Sequence, residues 1–501
     1  MKRFSIFISI LFTVFIAKAQ DPGDVLRLSQ QYLYGTARYV SMGGAFGALG
    51  SDFTTLSYNP AGLGVYRSSE FTITPSLKTR LDNTSYLNSS FDDQRTRVQF
   101  DNLGFVGSYR FVETDEEEKG LIMLNFGVGY NRINDFYSET TAIGANSSNS
   151  IMDLFASQAQ GIYFEDLTIT DDDDFFFNAN APWDVILAWN NFLIDTVPGN
   201  PNSYWAALND GEGVNQDQTL SSTGGVGEYT FSLGGNVSNK LYFGATIGLH
   251  DVYFRQRTFY SEFAFDSNQQ LPNGDLFKSM IYNQTLTVEG FGVNLKAGVI
   301  YRPIPELRLG VAAHTPTFYN LSEFYSAVMD ADFYLGQSNA ETPLNNYDYK
   351  IETPYKFIGS MAYTFGTFGL LSVDYEYVDY STMRFGKGGD GYRFTSENAS
   401  IQNQFTNTFN LKAGGEVWIG KMAIRAGYAY YGSPYKGGTT YESSHTNVFS
   451  GGFGLRINSL FLDWAYQRLQ LSDKYSPYMG ASIINRDVTQ NRFMMTLGYK
   501  F

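Results

Sequence analysis

Serine, histidine and carboxylate side chains are where chemistry would be sought first, and in this sequence they do not converge. The three histidines, His250, His314 and His445, fall in separate strand-like segments with no motif around them. No Gly-x-Ser-x-Gly elbow occurs, so no nucleophile held on a strained strand-to-helix turn is predicted. The absence of cysteine removes disulfides, thiol catalysis, Cys-type zinc clusters and lipidation of a mature N-terminus. Asp171 to Asp174 offers oxygens of the kind calcium takes, but without the interleaved Gly and distal Glu of an EF-hand loop. A solvated acidic loop is the expected reading there. No catalytic residue, metal or cofactor is expected, and the chain is not read as an enzyme.

Binding is better served than catalysis. Ile151, Met152, Leu154, Phe155 and Ala159 have helical spacing, as do Trp183, Ile186, Leu187, Trp189, Asn190 and Leu193. Two amphipathic lid helices would give an apolar molecule a surface on which to leave water, worth roughly 25 cal/mol per Å² buried. Phe155, Trp183, Trp189 and Leu193 are the candidate contacts, although the same residues would serve equally as the core of their own loop. Lys296, Arg302 and Arg425 are candidates for guiding a carboxylate head group. Together with Asp374, Glu376, Lys412, Glu416, Arg456, Asp463 and Lys500 they occupy alternate strand positions expected to face inward, where unpaired charge is costly. Mutual pairing and anchoring of a plug are therefore their plainer expected role.

The elements that must position these residues are strands. Met1-Lys2-Arg3, the apolar run Phe4 to Ala17 and the small-residue stretch Ala17-Lys18-Ala19 read as a cleaved signal peptide over residues 1–19. Beyond it no run of about 18 apolar residues is present, so no helical membrane span is predicted. The 50 Gly, 37 Tyr and 42 Phe, against only 14 Pro, exceed ordinary globular usage. Aromatic residues ring the two interfaces of a membrane barrel, and small residues relieve crowding inside it. The formal charge of −15 becomes −18 once Lys2, Arg3 and Lys18 are removed, and such a surface argues against nucleic acid as a partner.

Two-residue alternation is the deciding signal. Leu241, Phe243, Ala245, Ile247 and Leu249 alternate with Tyr242, Gly244, Thr246, Gly248 and His250. Phe291, Val293, Leu295, Ala297, Val299 and Tyr301 do the same against Gly292, Asn294, Lys296, Gly298 and Arg302, which places Lys296 and Arg302 inward. About fourteen such segments follow one another from Phe71 to the C-terminus, an even number suited to a single-chain barrel. Short connections (Glu113 to Lys119, Ser238-Asn239, Pro303 to Pro305, Gly366-Thr367, Gly420, Asn458-Ser459) alternate with long ones. The long set is Arg80 to Arg97, Asp135 to Gly225, Phe259 to Met280, Leu321 to Asp348, Ser381 to Gln402, Ser433 to Ser444 and Asp473 to Asp487. The last strand alternates to a terminal Phe501, which resembles the signal read by the outer-membrane barrel-assembly machinery.

Residues 20–67 are too irregular for a strand. A short helix is predicted near Val25 to Tyr32, and a second one, capped by Ser51 or Asp52, ends at Tyr58-Asn59 because a residue before proline avoids the α region. A fourteen-stranded lumen is too wide for side chains alone to fill, so this segment is expected to fold back as a hatch. Its sequence, Ala48-Leu49-Gly50-Ser51-Asp52 followed by Ser57-Tyr58-Asn59-Pro60-Ala61-Gly62-Leu63, resembles the hatch signature of the FadL-type outer-membrane transport proteins. Tyr301-Arg302-Pro303, Leu307 to Val311, and Val373-Asp374-Tyr375-Glu376-Tyr377 are similar to that family as well. The resemblance implies an all-β fold: a transmembrane antiparallel β-barrel of about fourteen strands (68–501), its lumen plugged by a hatch carrying Asn59, Pro60, Ala61 and Gly62. It also implies passive passage of long-chain fatty acids or other apolar compounds across a Gram-negative outer membrane, with membrane lipid and an apolar ligand as partners. The loop Asp135 to Gly225 departs from the pattern by its length. A second reading of the same fold is a non-transporting accessory subunit of a secretion or barrel-assembly complex, held by protein partners.

Overall fold

The structure is a computed structural model that describes residues 20–111, 119–172, 174–208, 212–265, 276–438 and 444–501. Fourteen strands run antiparallel, each bonded to the next: β1 (Glu70–Tyr86), β2 (Ser89–Arg110), β3 (Leu121–Asp135, continued by Ser138–Asn146), β4 (Val214–Val237), β5 (Leu241–Ala264), β6 (Phe277–Tyr301), β7 (Leu307–His314, continued by Phe318–Phe333), β8 (Gln337–Glu341, Asn345–Glu352 and Lys356–Phe365), β9 (Gly369–Asp379), β10 (Asn407–Ile419), β11 (Met422–Tyr431), β12 (Thr446–Ile457), β13 (Leu460–Tyr475) and β14 (Ile484–Lys500). β14 returns to β1, in register from Glu70↔Lys500 to Ser85↔Asn485, and closes the barrel.

Which face of each strand meets what is settled by burial. On β6, Phe291 is 64% exposed while Lys296, five residues on, is 6% exposed. Apolar side chains bare on the outside and a cation enclosed within are the reverse of a water-soluble protein, so hydrocarbon must cover the outer face. From Phe291 to Tyr301 that outer face is apolar, close to the 9–11 residues a tilted strand needs to cross a bilayer. Above Phe291 the pattern inverts. Glu289, Thr287, Thr285 and Asn283 now share the outward side, and Val288, Tyr282 and Met280 turn inward and are buried. The strand continues, but the solvent around it has changed from lipid to water.

This inversion corrects two of the expected long loops. Arg80 to Arg97 is a hairpin in which β1 and β2 extend to a two-residue turn at Leu87-Asn88, both at positive φ (45° and 67°). Leu321 to Asp348 is likewise mostly strand, with β7 reaching Phe333 and β8 starting at Gln337. Apolar alternation stops where the bilayer stops, so a lipid-facing template ends these strands too early. At the opposite rim Ser238-Asn239 forms a tight turn with both φ positive (55° and 52°), the mirror-image geometry that matches strand twist. Most of the connection Glu113 to Lys119 lies outside the described residues.

Inside the barrel the hatch is built from α1 (Pro22–Ser29), α2 (Ala37–Ser41), α3 (Thr55–Tyr58) and a 3-10 turn at Pro60–Val65. Asp21 caps α1 in a reciprocal pair with Asp24, and Thr36 caps α2, a helix not predicted from sequence. Asp52 accepts the Thr54 amide (3.0 Å) just ahead of α3. Glycines in the wall let hatch backbone seat flush against it. A Cβ at Gly298 would overlap Asn59 Oδ1, and one at Gly310 would overlap the Gly47 carbonyl.

Over the mouth opposite the Ser238-Asn239 turn, the long segment between β3 and β4 folds into a cap. It comprises α4 (Ile151–Ala159), α5 (Phe175–Asn178), α6 (Trp183–Asn190) and a small hairpin of Ile194–Val197 with Asn200–Ala206. Its buried core continues into the inverted part of the wall, where Met152, Phe155 and Leu187 pack in one cluster with Tyr260, Tyr282 and Met329.

Candidate functional site

The lumen at hatch level is held by ion pairs that join plug to wall. Arg38 of α2 forks onto Glu416 of β10 (Nε to Oε2 3.1 Å, Nη2 to Oε1 3.1 Å). The same carboxylate accepts Arg425 Nε (2.5 Å), whose Nη1 reaches Asp463 (2.7 Å), and Asp463 also takes Arg456 (3.1 Å). Elsewhere Lys412 pairs with Glu376 (3.3 Å) and lies 4.1 Å from the Tyr58 ring centroid, while Asp374 accepts the Gly47 amide (2.9 Å). Each of these side chains thus has at least one polar partner, as the low dielectric demands.

The predicted site residues divide accordingly. Asn59 caps the Pro60–Val65 turn through the Ala61 amide (3.1 Å), and its Nδ2 donates to the Gly47 carbonyl (2.5 Å); Asn59, Pro60, Ala61 and Gly62 are all buried in the hatch. Lys296 is paired with Glu228 and also donates to the Ser57 carbonyl (3.0 Å). Arg425 is enclosed in the network above. Arg302 departs from expectation: it does not enter the lumen but folds over the turn after β6 onto the Pro305 carbonyl (3.0 and 2.8 Å). It follows the last residue of the strand, where two-residue alternation no longer fixes direction. Phe155 and Leu193 are buried in the cap's own core, with Trp183 and Trp189 half-buried beside them.

Other residues of consequence escaped the sequence reading. His250 Nε2 meets Glu228 (3.3 Å) and Nδ1 meets the Tyr319 hydroxyl (2.6 Å); His314 Nε2 contacts the Tyr58 carbonyl (2.7 Å), so both histidines tie the lumen together. Glu262 on β5, far above the bilayer, accepts the Ile151 amide (2.9 Å), Gln216 (2.8 Å), the Tyr260 hydroxyl (2.7 Å) and Ser150 Oγ, pinning the start of α4 to the wall. Burial pushes its carboxyl above the ordinary range, and burial likewise raises Asp184 on α6 to about 6. Among the described residues no group of three or more His, Asp or Glu is arranged to hold a metal ion. Asp171, Asp172 and Asp174 are exposed, and Asp173 lies outside the described residues.

A breach in the wall is the feature of greatest interest. β7 pairs with β8 up to His314↔Lys356 and again from Phe318↔Glu352. Between these, Thr315-Pro316-Thr317 faces Thr353-Pro354-Tyr355, spanned by Thr317 N to Thr353 Oγ1 (2.8 Å) and Thr353 N to the Thr317 carbonyl (3.2 Å). Two prolines in a strand pair were the available signal, because proline cannot donate to a ladder and is confined to edges and irregularities. Directly beneath, on the lipid side, lies an apolar groove of about 480 Å³ lined by residues including Ala297, Val311, Ala313, Gly359, Phe357 and Tyr377. Beside the hatch the voids are small, about 50 Å³ next to Tyr58, His314 and Lys356, and about 30 Å³ next to Arg38 and Asp52.

No protein-family model matches the sequence, and no curated protein matches it either. Solved structures do. A FadL homologue of Pseudomonas aeruginosa superposes with a TM-score of 0.53 at 12% identity, over 94% of this chain and 99% of its own. The fold is that of the FadL-type barrels. The Pseudomonas putida toluene transporter TodX agrees, with a TM-score of 0.51 at 14% identity over 94% of this chain and 99% of that one. The likeness extends over nearly the whole of both chains. Identities this low leave the cap and the breach to be judged on this chain's own residues.

Proposed function

We propose that the chain is a passive outer-membrane channel for hydrophobic small molecules, exported by way of residues 1–19 and inserted by the barrel-assembly machinery. An apolar molecule leaves water beneath the cap, passes alongside the hatch, and moves sideways through the breach between β7 and β8 into the groove and the bilayer. The observation that supports this is the pairing of the two features: a wall break closed by one side-chain and one backbone hydrogen bond, opening onto a lipid-side space of ligand size. The fold likeness to a toluene transporter accords with small apolar cargo. No energy-coupling element enters the scheme, because apolar burial in the membrane supplies the driving force.

A reversible staple tests it. Thr317 and Thr353 stand opposite each other, a separation that a disulfide spans, and the chain has no other cysteine. In cells carrying the T317C/T353C variant, uptake of radiolabelled toluene should fall to background when the pair is oxidised and return on reduction. Undiminished uptake with complete cross-linking would rule out sideways exit here.

A further inference from the structure

The charge of the cap bears on which apolar molecules the channel admits. Between Ile133 and Asn239 the sequence contains fifteen Asp and Glu and no Lys, Arg or His. At the chain-wide frequency of 35 Lys and Arg in 501 residues, about seven basic residues would fall in a stretch of that length. In the cap itself Asp153, Glu165, Asp166, Asp171, Asp172 and Asp174 are exposed, and Asp184 and Asp195 are partly so. Beneath the cap Glu262 adds a further carboxyl, against the start of α4. Four cations on the surrounding hairpins are engaged with carboxylates of their own: Arg95 with Glu139, Lys278 with Asp332 (3.8 Å), Arg384 with Glu352 (2.6 Å) and Arg486 with Asp473 (2.5 Å).

A second, independent observation comes from the lumen. Three lumenal cations that could receive a carboxylate head group are already paired, Lys296 with Glu228, Lys412 with Glu376, and Arg425 with Glu416 and Asp463, while Lys356 donates to Gln31 Oε1 (2.8 Å). An incoming anion would therefore cross a negative surface and meet, among these three cations, only ones already engaged by carboxylates. Neutral molecules feel neither penalty.

We propose that the cap is a charge filter, admitting uncharged apolar molecules and holding back their carboxylates, so that hydrocarbons and alcohols, rather than fatty-acid anions, are the cargo. This rests on the channel reading above. The physical basis is the summed field of like charges over a surface, which changes association rates by roughly tenfold or more at low salt and fades as the Debye length shortens to about 8 Å at physiological ionic strength.

Three of the five tryptophans, Trp183, Trp189 and Trp205, lie in the cap, so quenching of their fluorescence reports arrival there. The probes are 12-bromododecan-1-ol and 12-bromododecanoate, identical in chain and differing in charge, mixed with the full-length protein in zwitterionic detergent at pH 7.5. The alcohol should quench at least fivefold faster than the carboxylate at low salt. That gap should close in high salt, and also in a variant with E165Q, D166N, D171N, D172N and D174N, while the alcohol rate stays the same. Equal rates for both probes at low salt, or a gap untouched by neutralisation, would overturn the filter alone. Quenching by neither probe would overturn the channel reading and the filter with it.

Discussion

The hatch must yield if anything is to pass beside it, and the Arg38–Glu416 fork is where its resistance can be measured. Glu416 receives two guanidiniums at once, Arg38 from the hatch and Arg425 from the wall, and is itself almost wholly buried. Replacing it with Gln leaves Arg425 with Asp463 but strips Arg38 of its carboxylate. Breaking a buried pair by removing one partner costs about 3 kcal/mol, and because the cost falls on the seated hatch only, the equilibrium for unseating should rise roughly a hundredfold. The R38M variant should loosen the hatch less, since Glu416 retains Arg425. R38M/E416Q should be clearly non-additive, as expected for groups sharing one interaction. The native chain has no cysteine, so a single S41C substitution on α2, at a fully buried and nearly isosteric position, reports unseating through its maleimide labelling rate. Labelling in E416Q should accelerate by up to two orders of magnitude over the S41C parent, with the barrel still heat-modifiable on a gel. If E416Q labels no faster than its parent, the fork does not hold the hatch, and the assignment of these charges to anchoring is wrong.

Two further perturbations follow from the geometry. Gly298→Ala places a methyl group on Asn59 Oδ1 and should unseat the hatch, seen as faster S41C labelling and leakage of small polar solutes; Gly451→Ala, whose Cβ meets only the Arg425 carbonyl at 3.5 Å, should change neither. Asp184 gives a pH effect. Burial raises its folded pKa from 3.8 to about 6, so the folded cap holds this proton more tightly than the unfolded chain does. Cap stability is then greatest below about pH 4, declines as pH rises to 6, and stays low above that, by at most about 3 kcal/mol, with solvent screening of a partly buried side chain reducing it. Acrylamide should quench the cap tryptophans more readily at pH 7.5 than at pH 4, and D184N should abolish the difference; the opposite trend would show that Asp184 is stabilised as an anion.

How much of this was legible in the sequence depended on which solvent each residue faces. Strand number and closure were readable because lipid imposes a strict apolar face on every second residue, as at Phe291, Val293 and Leu295. The upper wall was not, because beyond Phe291 the outward side turns polar and the apolar side turns inward, a pattern no different from an ordinary amphipathic strand. The helices α4 and α6 showed their spacing plainly, but spacing could not tell a dock from a core, and the structure buries Phe155 and Leu193 within the cap. Lumenal partners were invisible for a different reason. Glu416 and Arg38 are 378 residues apart, and only barrel closure around a folded-back hatch brings them together.

That arrangement also bears on the route. An apolar molecule driven straight down the lumen would have to pass between Arg38, Glu416, Arg425 and Asp463, and prising apart any buried pair there costs several kcal/mol without offering a polar group in exchange. The breach asks for much less: two hydrogen bonds between Thr317 and Thr353, each worth about 1 kcal/mol net. Behind it stand His314 and the Tyr58 carbonyl, already bonded to each other, and in front lies a groove whose walls match the cargo. On the proposed reading, the ionic waist is what makes the barrel selective for sideways exit: by keeping the axial path shut to both ions and hydrocarbon, it leaves the weakest part of the wall as the lowest barrier.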